Sequence, residues 1–127
     1  MHVLCFLAGV SSPEPVLARV RRVLAESMPR FPVRLQAEVT VLPELSGGWV
    51  TVVPSQPGLR PRLRSHVSDD VALVLYGELF GVPEPEALGA VIDAWRTGGP
   101  DAVRDLDGCF SVLVVERAAR RCTGSGW

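Results

Sequence analysis

Apolar positions change period several times along this chain, and each change predicts an element. Val3 to Ala8 is a continuous apolar run, short enough for a strand buried on both faces. Ser11 and Glu14 then form the pattern of a capping box around Pro13. Val16, Leu17, Val20, Val23 and Leu24 follow at helical spacing, with Arg19, Arg21, Arg22 and Glu26 mostly elsewhere on the wheel. Pro29 and Pro32 end this helix. From Val33 to Val41 apolar residues alternate with Arg34, Gln36, Glu38 and Thr40, the period of a strand with one wet face.

Gly47-Gly48 reads as a turn before a strand from Trp49 to Val53, and Pro54 to Pro61 reads as loop. A strand from about Arg62 to Val67, a Ser68-Asp69-Asp70 turn and an apolar strand from Val71 to Tyr76 come next. Leu88, Val91, Ile92 and Trp95 mark a second amphipathic helix, which ends at Gly98-Gly99. A short further helix leads to the Leu106-Asp107-Gly108 turn and a last strand from Phe110 to Val115. Strands grouped with a few helices predict one α+β domain over residues 1–127, mostly antiparallel.

Composition narrows the chemistry. The 127 residues are 47% hydrophobic and 21% charged, which suits a packed domain and excludes a disordered tail. A net charge of −1 gives no general attraction to nucleic acid or anionic membrane. All 13 basic residues are arginine, and there is no asparagine, so neither a Schiff-base lysine nor an asparagine oxyanion donor exists. Cys5, Cys109 and Cys122 are an odd number at unrelated spacings, and only His2 and His66 could join them, so no disulfide framework or metal site is expected. The start lacks the marks of a signal peptide and no run is long enough to span a membrane, so the expectation is a cytoplasmic protein.

Three segments in order carry a family resemblance. They are Cys5-Phe6-Leu7-Ala8-Gly9 ahead of the Arg-rich helix, the stretch from the Gln56–Pro61 loop through Val71 to Phe80 with its Tyr76-Gly77-Glu78, and the helix from Glu86 to Trp95 followed through Gly98-Gly99 by Leu106-Asp107-Gly108-Cys109-Phe110. Together they resemble the glutaminase-like domain of asparagine synthetases, β-lactam synthetases and lasso-peptide cyclases. The resemblance implies an N-terminal-nucleophile hydrolase fold, two antiparallel sheets stacked between helices. It also implies a cysteine nucleophile whose own α-amine is the base, an Asn-Gly pair as oxyanion donor, and ammonia delivered to an ATP-dependent synthetase domain.

Residue by residue this chain departs from that chemistry. Cys5 holds the nucleophile's place behind Met1 to Leu4, so its nitrogen is an amide. Tyr76 stands where the oxyanion asparagine belongs, leaving the Gly77 N–H. The family's Arg-Gly-Pro-Asp is replaced near Met28 to Pro32, no arginine clamp appears around Trp49 to Thr51, and Phe6 crowds the nucleophile. No catalytic residue is therefore expected: Cys5, Tyr76 and Gly77 are vestigial positions, and Phe6, Trp49, Tyr76, Gly77 and Glu78 would line an altered pocket without metal or cofactor.

The remaining candidates have simpler accounts. Arg60, Arg62 and Arg64 alternate as on a solvated strand edge. His66 reads as a surface histidine, Asp105 and Asp107 as turn residues, and Trp49 and Trp127 as weak candidates for exposed anchors. The family's later strands and synthetase domain have no counterpart after Arg121, so Phe110 to Val115 or a neighbour is expected to present an unpaired edge. That edge would take a second copy or a separate synthetase-like subunit. Two alternatives stay open: an active amidotransferase subunit once Cys5 is exposed by processing, and a small enzyme reusing the pocket with Tyr76, Glu78 or His66.

Overall fold

The computed structural model describes residues 3–27, 35–54 and 62–126. The expectations for Pro29, Pro32, Val33, Arg60, Trp127 and the Gln56–Pro61 loop lie outside them. The architecture is α+β with antiparallel sheets and two helices. It forms two compact units, Met1–Pro61 and Arg62–Trp127.

The first unit holds β1 (Val3–Leu7), α1 (Pro13–Ser27), β2 (Leu35–Leu42) and β3 (Gly47–Pro54), with the strands ordered β1-β3-β2. β1 is an edge strand, and it is not buried on both faces as its apolar run suggested: Leu4 is 37% exposed. Gly47 and Gly48 are not a turn but the first two residues of β3. The reversal comes earlier, at a 3-10 turn over Pro43–Leu45 closed by Ser46 in the left-handed region at φ 49°. Glycine is required at Gly48 because a Cβ there would collide with the Thr40 carbonyl oxygen and come within 3.0 Å of Leu17 Cδ1. Leu17 thus settles onto a bare stretch of backbone.

The second unit holds β4 (Leu63–Val67), β5 (Val71–Leu79), α2 (Glu84–Arg104), β6 (Gly108–Glu116) and β7 (Arg121–Gly126), ordered β4-β5-β6-β7. The glycine pair breaks α2 as the sequence implied: Gly99 has φ 67° and ψ −150°, and Pro100 starts the short segment beyond it. Ala87, Val91, Ile92 and Val103 of α2 pack into one cluster with Val71, Leu73 and Leu75 of β5 and Phe110, Val112 and Val114 of β6. Each large side chain buried this way contributes about 1.5–3 kcal/mol.

The strand from Phe110 is not the last, and its edge is not open. β7 pairs with it from Ser111↔Gly126 to Glu116↔Arg121. A tight turn makes this possible: the Arg120 N–H donates to the Arg117 carbonyl at 3.3 Å, with Arg120 left-handed at φ 52°. The backbone groups of β6 need partners whatever the side chains opposite, so even a Gly- and Ser-containing segment completes the ladder.

A polar clamp fastens the β4–β5 turn. Arg96 grips Asp70 with Nε–Oδ2 at 2.9 Å and Nη2–Oδ1 at 2.8 Å, while Ser68 Oγ donates to Asp70 Oδ1 at 2.8 Å. Arg117 Nη1 reaches the Ser68 carbonyl at 2.9 Å. The hydrogen bonds from Arg96 and then Ser68 hold the Asp70 carboxyl well below the usual carboxylate range. The Arg96 guanidinium is correspondingly held above its ordinary value, mainly by the bond to Asp70.

Candidate functional site

The residues expected at the altered pocket divide between the two units, Phe6 and Trp49 in the first and Tyr76, Gly77 and Glu78 in the second. Within the first unit, Cys5 is the middle residue of β1 and pairs with Val50, while Phe6 pairs with Trp49. Cross-strand partners share a face and neighbours alternate, so Cys5 lies on the opposite face from Phe6 and Trp49. Cys5 is half-buried, and its nitrogen is a peptide amide preceded in the ladder by Val3 and Leu4. Trp49 is fully buried with Nε1 lacking a hydrogen-bond partner, so it is a core side chain and not an exposed anchor.

In the second unit the ladder brings together more than the sequence suggested. Tyr76 lies opposite Leu63 on one side and Ser111 on the other, and Glu78 lies opposite Cys109. Arg62 Nη2 pairs with Glu78 Oε1 at 3.1 Å, both side chains being largely exposed. One corner of the sheet therefore carries a phenol, a carboxylate, a guanidinium, a thiol and a hydroxyl. Arg62, Cys109 and Ser111 were not legible as members of this corner, because Arg62 reaches Glu78 through an ion pair and Cys109 and Ser111 meet Glu78 and Tyr76 only through strand register.

Gly77 is the pivot of this corner. It has φ 113°, and a Cβ on it would collide with the Cys109 carbonyl oxygen and lie 2.7 Å from Phe110 Cα. Its N–H donates to the Arg62 carbonyl at 3.1 Å, and its own carbonyl accepts from Arg64 Nη2 at 2.6 Å. The Gly77 N–H, which the resemblance would make the remaining oxyanion donor, is thus engaged by the sheet.

Arg64 is not the solvated cation its alternation implied. Its side chain is 15% exposed and forms an ion pair with Glu84 at the start of α2. Burial lowers the Arg64 pKa, and the nearby Glu78 charge opposes that shift. Arg64 Nε is buried without a partner. His66, two residues along β4, is half-buried with Nε2 also unpartnered, so it is not the plain surface histidine expected. Leu63, Ser65 and Val67 point the other way, since residues of a strand alternate.

Cys5, Cys109 and Cys122 are free thiols, and burial pushes the Cys122 thiol up. Among the described residues no three His, Cys, Asp or Glu side chains gather as a metal site would require, and no helix is long and apolar enough to cross a membrane. An open depression of about 470 Å³ lies beside the start of α1, bounded by Ser12, Glu14, Val41 and Ser46 among others. Comparison with protein-family models, with curated proteins and with solved structures gives no match for this chain.

Proposed function

We propose that this chain is a glutaminase-like domain of the N-terminal-nucleophile type that lacks glutaminase activity and serves as a structural or binding subunit. Its partner, on the resemblance stated above, is an ATP-dependent enzyme of the asparagine-synthetase kind that forms amide bonds, in bacterial specialised metabolism. The observation that carries this reading is the state of Gly77. With Tyr76 in the asparagine's place, the remaining oxyanion donor is the Gly77 N–H, and it already bonds the Arg62 carbonyl. Loss of one oxyanion donor alone lowers turnover by about a hundredfold or more.

The nucleophile position points the same way. An amide nitrogen cannot serve as the base for Cys5. Cleavage after Leu4 would create an amine, but it would also remove the pairings Val3↔Val52 and Leu4↔Thr51 that hold this edge strand. A second reading, reuse of the corner for other chemistry, draws on the exposed Tyr76 beside the Arg62–Glu78 pair.

The test is a glutamine-hydrolysis assay on the whole chain and on a chain beginning at Cys5, together with the intact mass of the protein from its native host. The expected result is a retained N-terminal segment and no ammonia release from either form. A native chain beginning at Cys5, with hydrolysis abolished by Cys5→Ala, overturns the proposal. An activity on another substrate that is lost in Tyr76→Phe and kept in Cys5→Ala supports the second reading instead.

A further inference from the structure

Among the described residues, β2 is the longest of the strands at a sheet edge, with eight residues against five in β1, five in β4 and six in β7. All eight pair with β3 in unbroken register, from Leu35↔Pro54 to Leu42↔Gly47. The strand contains no proline, no lysine and no bulge, three of the devices that blunt an edge, and its one charged residue is Glu38. A long, regular edge of this kind is a template for another strand.

The direction of its backbone groups can be read from two contacts. The Thr40 carbonyl points toward β3, since it occupies the space of a Cβ on Gly48. The Ala37 carbonyl points outward, where Arg21 Nε reaches it at 3.1 Å. In an antiparallel ladder these directions alternate, so the N–H and carbonyl groups of Leu35, Ala37 and Val39 face away from β3. Alongside them runs an open groove of about 720 Å³, bounded by Arg21, Ala25 and residues 35–39.

We propose that two copies of this chain associate through that edge, β2 against β2, antiparallel about a two-fold axis at Ala37. The segment is self-complementary about this residue. Ala37 meets Ala37 of the second copy, Leu35 meets Val39, and Gln36 meets Glu38. Each outward-facing pair exchanges both of its backbone hydrogen bonds. The apolar pair packs on one face. On the other, an amide donor stands opposite each carboxylate, so no two carboxylates face one another. Arg21 need not leave, because a carbonyl oxygen accepts two hydrogen bonds. A two-fold axis closes the assembly at a dimer and covers both edges at once.

This pairing rests on β2 alone, so its failure leaves the reading of the Gly77 corner untouched. The test is sedimentation velocity of the full chain over a concentration series. A reversible dimer is expected. Gln36→Glu should weaken it by about two- to thirtyfold and Gln36→Arg should strengthen it, because each apposed pair occurs twice across the axis. Ala37→Pro should abolish it while the circular dichroism spectrum stays unchanged, since that N–H is not used by β3. A monomer at every concentration overturns the proposal, as does a dimer whose constant is indifferent to both Gln36 substitutions. If Ala37→Pro fails to fold, the opposite signs expected of the Gln36 pair decide the matter. An extended peptide that binds β2 of a strictly monomeric chain also counts against self-pairing.

Discussion

α2 lays Ala87, Val91, Ile92 and Val103 onto a four-stranded sheet, whereas α1 buries only Leu17 against a three-stranded one. Both helices carry apolar residues at helical spacing, yet Val16 and Val23 of α1 are 37% and 52% exposed. The difference lies beneath the helices. β5 and β6 are nine-residue strands paired along their whole length, so α2 finds a broad apolar floor. α1 rests on β2 and β3, with the Leu17 side chain over Gly48. Helical spacing establishes that a helix forms; the width of the sheet establishes how much of it is held.

The strongest test of this contrast replaces one buried leucine in each unit. Leu73→Ala should cost about 4–5 kcal/mol and Leu17→Ala about 2–3 kcal/mol, because a lightly held helix can settle into the space left behind. Hydrogen exchange at the amides of β5 and β3 reads the two units separately. Equal losses would break the contrast.

A smaller effect separates two arginines that each donate to a strand carbonyl. Arg64→Met leaves the Glu84 carboxylate and the Gly77 carbonyl without this donor in a largely buried setting, for a loss of about 1–3 kcal/mol. Arg21→Met removes an exposed bond to Ala37 and should change stability by about 0.5 kcal/mol or less. Denaturant titration of both variants gives the comparison; a larger loss at Arg21 would reverse it.

The smallest effect is confined to acid. The Asp70 carboxyl titrates lower in the fold than in the unfolded chain, where about 3.9 is usual. Its contribution is therefore complete above the unfolded value and disappears as pH falls toward the folded one. Thermal melts of the second unit should decline less between about pH 5 and pH 2 in Asp70→Asn than in the parent chain. Parallel pH profiles would show that the Arg96 clamp adds nothing beyond its geometry.

Much of the framework was legible. Alternation located β2, the apolar runs located β1 and β5, and Gly98-Gly99 marked the break in α2. β7 was missed because Arg121–Gly126 has neither an apolar period nor β-branched density; its state is imposed by the waiting backbone of β6. Gly47-Gly48 was misread because a glycine that makes room for a neighbouring backbone looks, in sequence, like one that makes a turn. Arg64 was misread for a third reason. Its ion-pair partner Glu84 lies 20 residues away on another element, and no local pattern announces that meeting. At the corner around Gly77 the sequence named Tyr76 and Glu78, while Ser111 and Cys109 entered through register and Arg62 through its ion pair with Glu78.

Gly48 and Gly77 share a property with consequences for how such a chain can diverge. At each, the volume of a side chain is already filled by the backbone of an adjacent strand, so substitution must move a strand and not merely a neighbour. Cys5, half-buried, and Tyr76, 43% exposed, face no comparable barrier. A side chain at either position can therefore be exchanged without moving a strand, which is not true of Gly48 or Gly77. The sheet is least tolerant of change where the chain has no side chain at all.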